Sequence, residues 1–222
     1  MPRIFLIVTL ALLIGCGKPE TPAPKPTAQA APHAEPFIAD SLPFIVCFGD
    51  SITAGFGLDA GQSLPDLLQK DLDGRKAGYM VANLGVSGDT TQDGLARISM
   101  ALAYKPKIVL LELGGNDGLR GLPLSITQAN LARMIEQFQG AGARVVLAGM
   151  TLPPNYGPAY IAKFEALYKD LAAKYRLTLI PSLLEGVGGH DDLMQRDGIH
   201  PNAAGARQVA TLVMKSLGPL LK

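Results

Sequence analysis

Two short segments, far apart in the chain, carry side chains able to act on a carbonyl carbon. Ser51 lies in FGDSIT, at the exit of an apolar run, and a serine hydroxyl becomes a nucleophile when a base takes its proton. Asp197 and His200 lie three residues apart in DGIHPN. At that spacing a carboxylate can hold one ring nitrogen while the other faces outward as the base. The plainer interpretations are a bend at Ser51 and a surface histidine beside a helix cap.

His200 is the best candidate base among the three histidines of the chain. His33 lies in a proline-rich stretch that offers no fold to orient it. His190 has two aspartates after it and is either a solvated loop residue or a substrate contact. A pairing of Ser51 with His200 requires both segments to reach one edge of the same sheet.

Two further loops offer hydrogen-bond donors for a developing oxyanion. Gly88 in GVSGDT has no Cβ to shield its backbone N–H, and Asn116 in GGND carries a side-chain amide. With the Ser51 N–H they make three candidate donors. Alternatively, Gly88 only turns the chain, Asn116 bonds its own loop, and Asp50 and Asp89 cap helices.

Short apolar runs alternate with helix-like stretches from about residue 41 onward. The predicted strands are 44–48, 79–84, 107–113, 144–149 and 177–180. The predicted helices are 63–72, 90–104, 125–139, 159–175 and a last one after His200. Continuous apolar strands suit a sheet covered on both faces, and strand–helix alternation indicates a parallel, doubly wound α/β sheet. In such a sheet the loops beyond the carboxyl ends of the strands carry the site.

The amino-terminal segment predicts export. Residues 1–15 carry one early arginine and an apolar stretch shorter than the roughly 20 residues that span a bilayer, which fits a signal peptide. The sequence LIGC resembles the lipobox of bacterial lipoproteins, so Cys16 is the predicted lipidation site, with an ordinary signal peptide or an uncleaved anchor as alternatives. Residues 16–40 read as a proline-rich tether and residues 41–222 as the folded domain.

Composition excludes some classes of function. Lys and Arg number 20 against 19 Asp and Glu, so no basic surface predicts nucleic-acid binding. With Cys16 lipidated, Cys47 has no disulfide partner, and its apolar surroundings predict a small buried side chain. Residues 55–60 match a dinucleotide-binding pattern, but they begin too far past the first strand.

The segments GDS, SGDT, GGND and DGIHPN together resemble the conserved blocks of the SGNH, or GDSL, hydrolases. The resemblance runs through most of residues 44–216 and is greatest with the branch of bacterial thioesterase–lysophospholipases and related arylesterases. It implies a three-layer α/β/α domain, flavodoxin-like in its sheet, and hydrolysis of esters or thioesters with no metal and no organic cofactor.

Mapped by motif, the resemblance makes Ser51 the nucleophile, His200 the base and Asp197 its orienting acid. Gly88 and Asn116 then complete the oxyanion hole with the Ser51 N–H. The implied substrate is a small acyl ester or a lysolipid. The implied location is the periplasmic face of the outer membrane, through the lipid on Cys16.

Apolar loops beside this site predict an acyl groove. One wall is predicted to comprise Leu119, Leu122 and Pro123, and the other Leu152 and Pro153, unless these side chains only cap the core. Two other functions stay open from the sequence. They are a deacetylase of envelope carbohydrate on the same fold and a lipoprotein without catalytic activity.

Overall fold

The computed structural model describes residues 42–221, so the predicted signal peptide, Cys16 and the tether lie outside the described residues. Five parallel strands form one sheet in the order β2-β1-β3-β4-β5. They are β1 Phe44–Gly49, β2 Met80–Gly85, β3 Ile108–Glu112, β4 Arg144–Ala148 and β5 Thr178–Ile180. The predicted α/β class and the five-stranded parallel sheet are confirmed.

Helices cover both faces of this sheet. They are α1 Ser51–Ala54, α2 Leu64–Gly74, α3 Thr91–Ala96, α4 Ile98–Ala103, α5 Gly115–Leu119, α6 Leu124–Gly140, α7 Pro158–Tyr175 and α8 Ala203–Leu217. Helix α2 packs on α8, while α6 packs between α3 and α7. Because the strand order reverses direction at β1, the crossover through α2 lies on one face and the crossovers through α6 and α7 lie on the other.

The core follows from the apolar runs. Strand β3 is buried over its whole length, and all of β1 after Phe44 is buried. Helix α6 buries Leu131 and Phe138 among others, at the predicted helical spacing, whereas Ile126 in its first turn is 50% exposed. Cys47 is fully buried, as predicted, and forms no disulfide within the described residues; burial raises the pKa of its thiol far above the ordinary value.

The predicted helix 90–104 is interrupted at Arg97. The Arg97 backbone leaves helical geometry, with φ −109° and ψ 12°, between α3 and α4. Its guanidinium pairs with the Asp89 carboxylate at 2.6 Å and donates to the carbonyls of Leu84 at 2.9 Å and Gly49 at 2.8 Å. Thr90, not Asp89, caps α3, because Asp89 is engaged by Arg97.

The carboxyl end of β2 lies directly against α1. A Cβ built on Gly85 overlaps the backbone nitrogen of Ala54 and approaches the Thr53 carbonyl carbon to 2.7 Å. Backbone atoms cannot rotate away as a flexible side chain would. Glycine at this position therefore lets α1 approach the sheet closely enough to hold Ser51 at its edge.

We expect Gly85→Ala to lower the free energy of unfolding by about 1–3 kcal/mol, since it forces α1 away from β2. Gly74→Ala is the matched control, because a Cβ there meets nothing within 4 Å. Urea denaturation of both variants measures the difference. Equal stability of the two variants would contradict the close approach of α1.

Candidate active site

Ser51 is the first residue of α1, directly beyond the carboxyl end of β1. Asp50 is the N-cap, and its Oδ1 accepts from the Ile52 N–H at 3.1 Å, as the helix-cap alternative predicted. Gly55 ends the helix in the left-handed conformation after a single turn. The hydroxyl therefore sits on a short, capped helix whose position is set by the central strand.

The structure brings the three predicted catalytic residues into one hydrogen-bonded chain. The Ser51 Oγ lies 2.8 Å from His200 Nε2, and His200 Nδ1 lies 2.7 Å from Asp197 Oδ2. The other carboxylate oxygen of Asp197 accepts from the backbone N–H groups of Ile199 at 2.9 Å and His200 at 3.0 Å. Asp197 thus fixes both the ring and the turn that carries it.

Asp197 is ionised at any ordinary pH. Partial burial acts to raise its pKa, but hydrogen bonds from the His200 ring and from the two backbone N–H groups outweigh this effect and lower the pKa to about 2. A carboxylate in this state accepts the Nδ1 proton of His200. The Nε2 atom is then the acceptor that faces the serine hydroxyl.

Gln195, which no sequence motif singled out, joins the loop of His200 to the loop that follows α1. Its side-chain amide donates to the carbonyl of Phe56 at 2.7 Å and to that of Pro201 at 3.0 Å. Its backbone N–H donates to the His200 carbonyl at 2.7 Å. The only signal in the sequence was a polar residue next to DGIHPN, and it does not reveal a contact 139 residues away in the chain.

Two of the predicted oxyanion donors have no acceptor in the described part of the chain. The N–H groups of Ser51 and Gly88 make no hydrogen bond within residues 42–221. The Gly88 carbonyl accepts from the Arg120 guanidinium at 2.9 Å, which fixes the peptide in a conformation with φ 87° at the glycine. Both backbone donors are therefore available to a bound group.

The Asn116 amide lies between the same loops. Its Nδ2 donates to Asp50 Oδ2 at 3.1 Å and to the Asp89 carbonyl at 3.0 Å, so it bonds to neighbouring loops and not to its own. An anion at this place would take over one of these two protons. Asn116 is thus directed at the Ser51 and Gly88 loops before any substrate binds.

Helix α5, which carries Asn116, is held from below by a buried carboxyl group. Asp117 is 1% exposed and accepts from the Thr91 N–H at 2.8 Å and the Thr91 hydroxyl at 2.5 Å. It also accepts from the Thr127 hydroxyl at 3.2 Å. These bonds join α5 to α3 and α6, so the amide of Asn116 is fixed by its neighbour in the chain.

The five side chains predicted to line the acyl groove differ in how far they are exposed. Leu119 and Leu122 are half-buried, Pro123 and Pro153 are exposed, and Leu152 is 5% exposed and packs within the core. Leu152 is therefore placed as its core-capping alternative describes, because its side chain lies against Gly118. The groove with these two walls stays a prediction.

A small apolar pocket opens beside the Ser51–His200 pair. It is lined by Ser51, Ile52, Gly55, Phe56, Leu58, Leu64, His200, Pro201, Ala206 and Val209. The Phe56 ring is 50% exposed and tilts over the His200 ring, with 4.7 Å between the centroids. Residues of the pocket come from several separate segments of the chain, which is why no single motif revealed it.

Two further properties concern the described residues only. Within residues 42–221, no three His, Cys, Asp or Glu side chains are grouped to hold a metal ion. None of the helices in that range has the length and apolar character needed to cross a membrane.

A parallel α/β sheet with a hydrogen-bonded Ser–His–Asp set at its carboxyl edge is typical of serine hydrolases. Residues 47–208 match the GDSL-like Lipase/Acylhydrolase family. The chain therefore belongs to this family, and its resemblance to the SGNH, or GDSL, hydrolases is confirmed.

Individual relatives agree with this assignment. The chain is 47% identical to esterase TesA of Pseudomonas aeruginosa, covering 80% of this chain and 89% of TesA. It is 37% identical to thioesterase 1/protease 1/lysophospholipase L1 of Escherichia coli, covering 83% and 88%. The esterase EstA from Pseudoalteromonas, in a structure inhibited by monoethylphosphonate, aligns with a TM-score of 0.76 at 32% identity, covering 80% and 98%.

We expect Gln195→Met to lower the free energy of unfolding by about 1–3 kcal/mol, because it removes two side-chain hydrogen bonds of about 1 kcal/mol each and leaves the Phe56 and Pro201 carbonyls without this donor. We also expect kcat to fall, since the His200 loop loses its link to the Ser51 side of the site. Denaturation and ester hydrolysis measure the two effects. Gln208→Met, on the exposed face of α8, is the matched control; equal behaviour of the two variants would contradict the role of Gln195.

Proposed function

We propose that this protein hydrolyses carboxylic esters and thioesters through an acyl-enzyme formed on Ser51. The observation that carries the proposal is the 2.8 Å separation between Ser51 Oγ and His200 Nε2, with Asp197 on the opposite ring nitrogen. A serine hydroxyl in this setting is activated as it attacks, because the imidazole accepts its proton at that moment.

The reaction runs in two halves. His200 takes the Ser51 proton while Oγ bonds to the acyl carbon, and the ionised Asp197 stabilises the imidazolium that forms. The proton then goes from His200 to the departing alkoxide or thiolate, which leaves as the alcohol or thiol. Water enters, gives a proton to His200 and attacks the acyl carbon. His200 then returns that proton to Ser51 Oγ as its bond to the acyl carbon breaks and the carboxylic acid is released.

The oxyanion of each tetrahedral intermediate is held by the N–H groups of Ser51 and Gly88 and by the Asn116 amide. Asn116 exchanges one of its present hydrogen bonds, to Asp50 or to the Asp89 carbonyl, for this bond. Because Arg120 and Asp117 hold the surrounding loops in the substrate-free state, little reorganisation accompanies the reaction.

The substrate we propose is a single-chain acyl ester, thioester or lysolipid. The printed names of the relatives include an esterase and a thioesterase–lysophospholipase, which supports this class. The apolar lining beside Ser51 favours an acyl or aryl group over a sugar, so the carbohydrate deacetylase is the weaker candidate.

We further propose that the domain is exported and tethered to a membrane. Support comes from the sequence alone: a signal-like segment at 1–15, LIGC ending at Cys16, and a proline-rich stretch at 16–40. Gly17 follows Cys16 where an aspartate favours retention in the inner membrane of many proteobacteria, which supports the periplasmic face of the outer membrane. Strand β1 begins at the sheet edge opposite Ser51, so the first described residues lie away from the proposed nucleophile.

We expect Ser51→Ala to abolish hydrolysis of nitrophenyl butyrate and labelling by a fluorophosphonate, because both need the nucleophile. Asn116→Ala should keep the label but lower kcat by about 10²–10³-fold, the usual cost of one oxyanion donor. Ser216→Ala, near the far end of α8, is the control for the serine substitution. Labelling or turnover by Ser51→Ala would exclude the mechanism.

We expect Cys16→Ser to move the protein from the membrane fraction to the soluble fraction of expressing cells and to abolish incorporation of radiolabelled palmitate. Cys47→Ala, which removes the buried thiol, should keep both membrane association and label. Palmitate incorporation into Cys16→Ser would refute lipidation at this residue.

A further inference from the structure

Glu112 is a fully buried acid at the end of the central strand β3, and the catalytic steps above do not use it. Its side chain is 0% exposed, in a strand whose other residues are all apolar. It lies beside Gly49, where an added Cβ would overlap Glu112 Oε2 and the Thr53 hydroxyl. A buried carboxylate without compensating partners is costly, so its contacts decide its role.

The contacts of Glu112 reach both sides of Ser51. Its Oε2 accepts from the Asp50 backbone N–H at 3.1 Å and from the Thr53 hydroxyl at 2.7 Å. One of these residues precedes Ser51 and the other lies two positions after it. Glu112 therefore holds the turn from β1 into α1 in place, at the point where the nucleophile is presented.

The second oxygen of Glu112 indicates a bound proton. Oε1 is buried, and no N–H or O–H group in residues 42–221 donates to it. A negative charge on Glu112 would lie in the core with no donor at this oxygen to compensate it, whereas a bound proton removes the charge. Asp50 already accepts from the Ile52 N–H and the Asn116 amide, so it has the role of the carboxylate.

The charged and titratable groups around this pair offer Glu112 no cation. Asp50 faces it from the turn after β1, the Cys47 thiol from β1 and the Tyr168 phenol from α7, with Asp117 on α5 also near Tyr168. Arg97 donates to the Gly49 carbonyl and forms an ion pair with Asp89. The charge of His200 lowers the pKa of Asp50. In the described chain, no Lys, Arg or His forms an ion pair with Glu112.

We propose that Glu112 is a positioning residue that works in its protonated form. Its Oε2 accepts from the Asp50 N–H and the Thr53 hydroxyl, and its proton removes the charge that would otherwise lie in the core beside the Asp50 carboxylate. Asp50 in turn caps the helix of Ser51 and orients the Asn116 amide. As a neutral acid, Glu112 thereby links the position of Ser51 to that of the Asn116 amide. This inference rests on the proposed role of Ser51.

The pKa shifts agree with the geometry. Burial and then the charge of Asp50 raise the pKa of Glu112 well above its ordinary value. Burial also raises the pKa of Asp50, to about 6, although hydrogen bonds from Ile52 and Asn116 and the charge of His200 act to lower it. Above about pH 6 the pair thus holds one proton, and Glu112, which is more deeply buried, keeps it.

Loss of that proton at alkaline pH has two consequences. Two adjacent buried carboxylates repel, which displaces the cap of α1 and with it Ser51, so kcat falls. The folded state also holds a proton that the unfolded chain releases above pH 4.5, the ordinary pKa of a glutamate. Stability therefore declines as pH rises from there to the folded pKa of Glu112, and levels off above it.

The test compares Glu112→Gln with Glu112→Leu. Glutamine keeps an uncharged acceptor for the Asp50 N–H and the Thr53 hydroxyl, so its kcat near pH 7 should stay within about threefold of wild type. Leucine leaves the Asp50 N–H and the Thr53 hydroxyl unpaired, and kcat should fall by about tenfold or more with a smaller change in KM. Leu110→Ala, a core truncation in the same strand, controls for loss of stability alone.

The deciding measurement is kcat for nitrophenyl butyrate from about pH 6 to 10, with Ser51→Ala as the blank and folding checked by circular dichroism at each pH. Wild type should show an alkaline decline that Glu112→Gln lacks, and its stability should fall with pH where that of Glu112→Gln does not. Identical alkaline profiles, or a loss of activity in Glu112→Gln at pH 7 as large as in Glu112→Leu, would overturn the proposal.

If Glu112→Leu does not fold, the alkaline pH profiles of wild type and Glu112→Gln still test the proposal. Fluorophosphonate labelling of wild type at pH 7 separately reports whether Ser51 is the nucleophile. Failure of the Glu112 proposal is therefore distinguishable from failure of the proposed function.

Discussion

A hydrogen bond of 2.8 Å between residues 149 positions apart is the contact on which the rest of the site depends. Ser51 is held by β1 and its short helix, whereas His200 is held by a turn just before the last helix. The two meet because all strands are parallel and their carboxyl ends share one edge. The proposed mechanism needs both residues, and the parallel sheet holds them together.

Three sets of polar contacts, here called clamps, hold the loops at this edge in place. Arg97 binds Asp89 and two strand-end carbonyls, Arg120 binds the Gly88 carbonyl, and Asp117 joins α5 to α3 and α6. Each clamp joins elements that are distant in the chain and adjacent in space. The donors for the oxyanion are consequently oriented before the substrate arrives, which is the condition under which such donors lower a barrier most.

The strands and the serine, histidine and aspartate could be predicted because each signal is local. An apolar run predicts a buried strand, and Asp197 lies close enough in sequence to His200 to pair with it. Gln195, Arg120 and Glu112 could not be found in the same way, because the partners that define their roles lie 32 to 139 residues distant in the chain.

Helix ends were the other weakness of the sequence-based prediction. Nothing in the periodicity of residues 90–104 indicated the break at Arg97, which follows from its contacts with two strand ends and Asp89. The predicted acyl groove shows the same limit. Leu152 is apolar and lies in the loop after β4, yet its side chain packs in the core. Local composition does not determine which side of a loop a side chain occupies.

The tilted ring of Phe56 gives His200 a neighbour whose π-electron face can attract a cation. The 4.7 Å between the ring centroids is within the range of cation–π contacts. In the proposed mechanism the imidazole becomes positively charged midway through each half-reaction, and it then gains this attraction as well as that of Asp197. In that mechanism the aromatic ring therefore stabilises the charged intermediate more than the resting state.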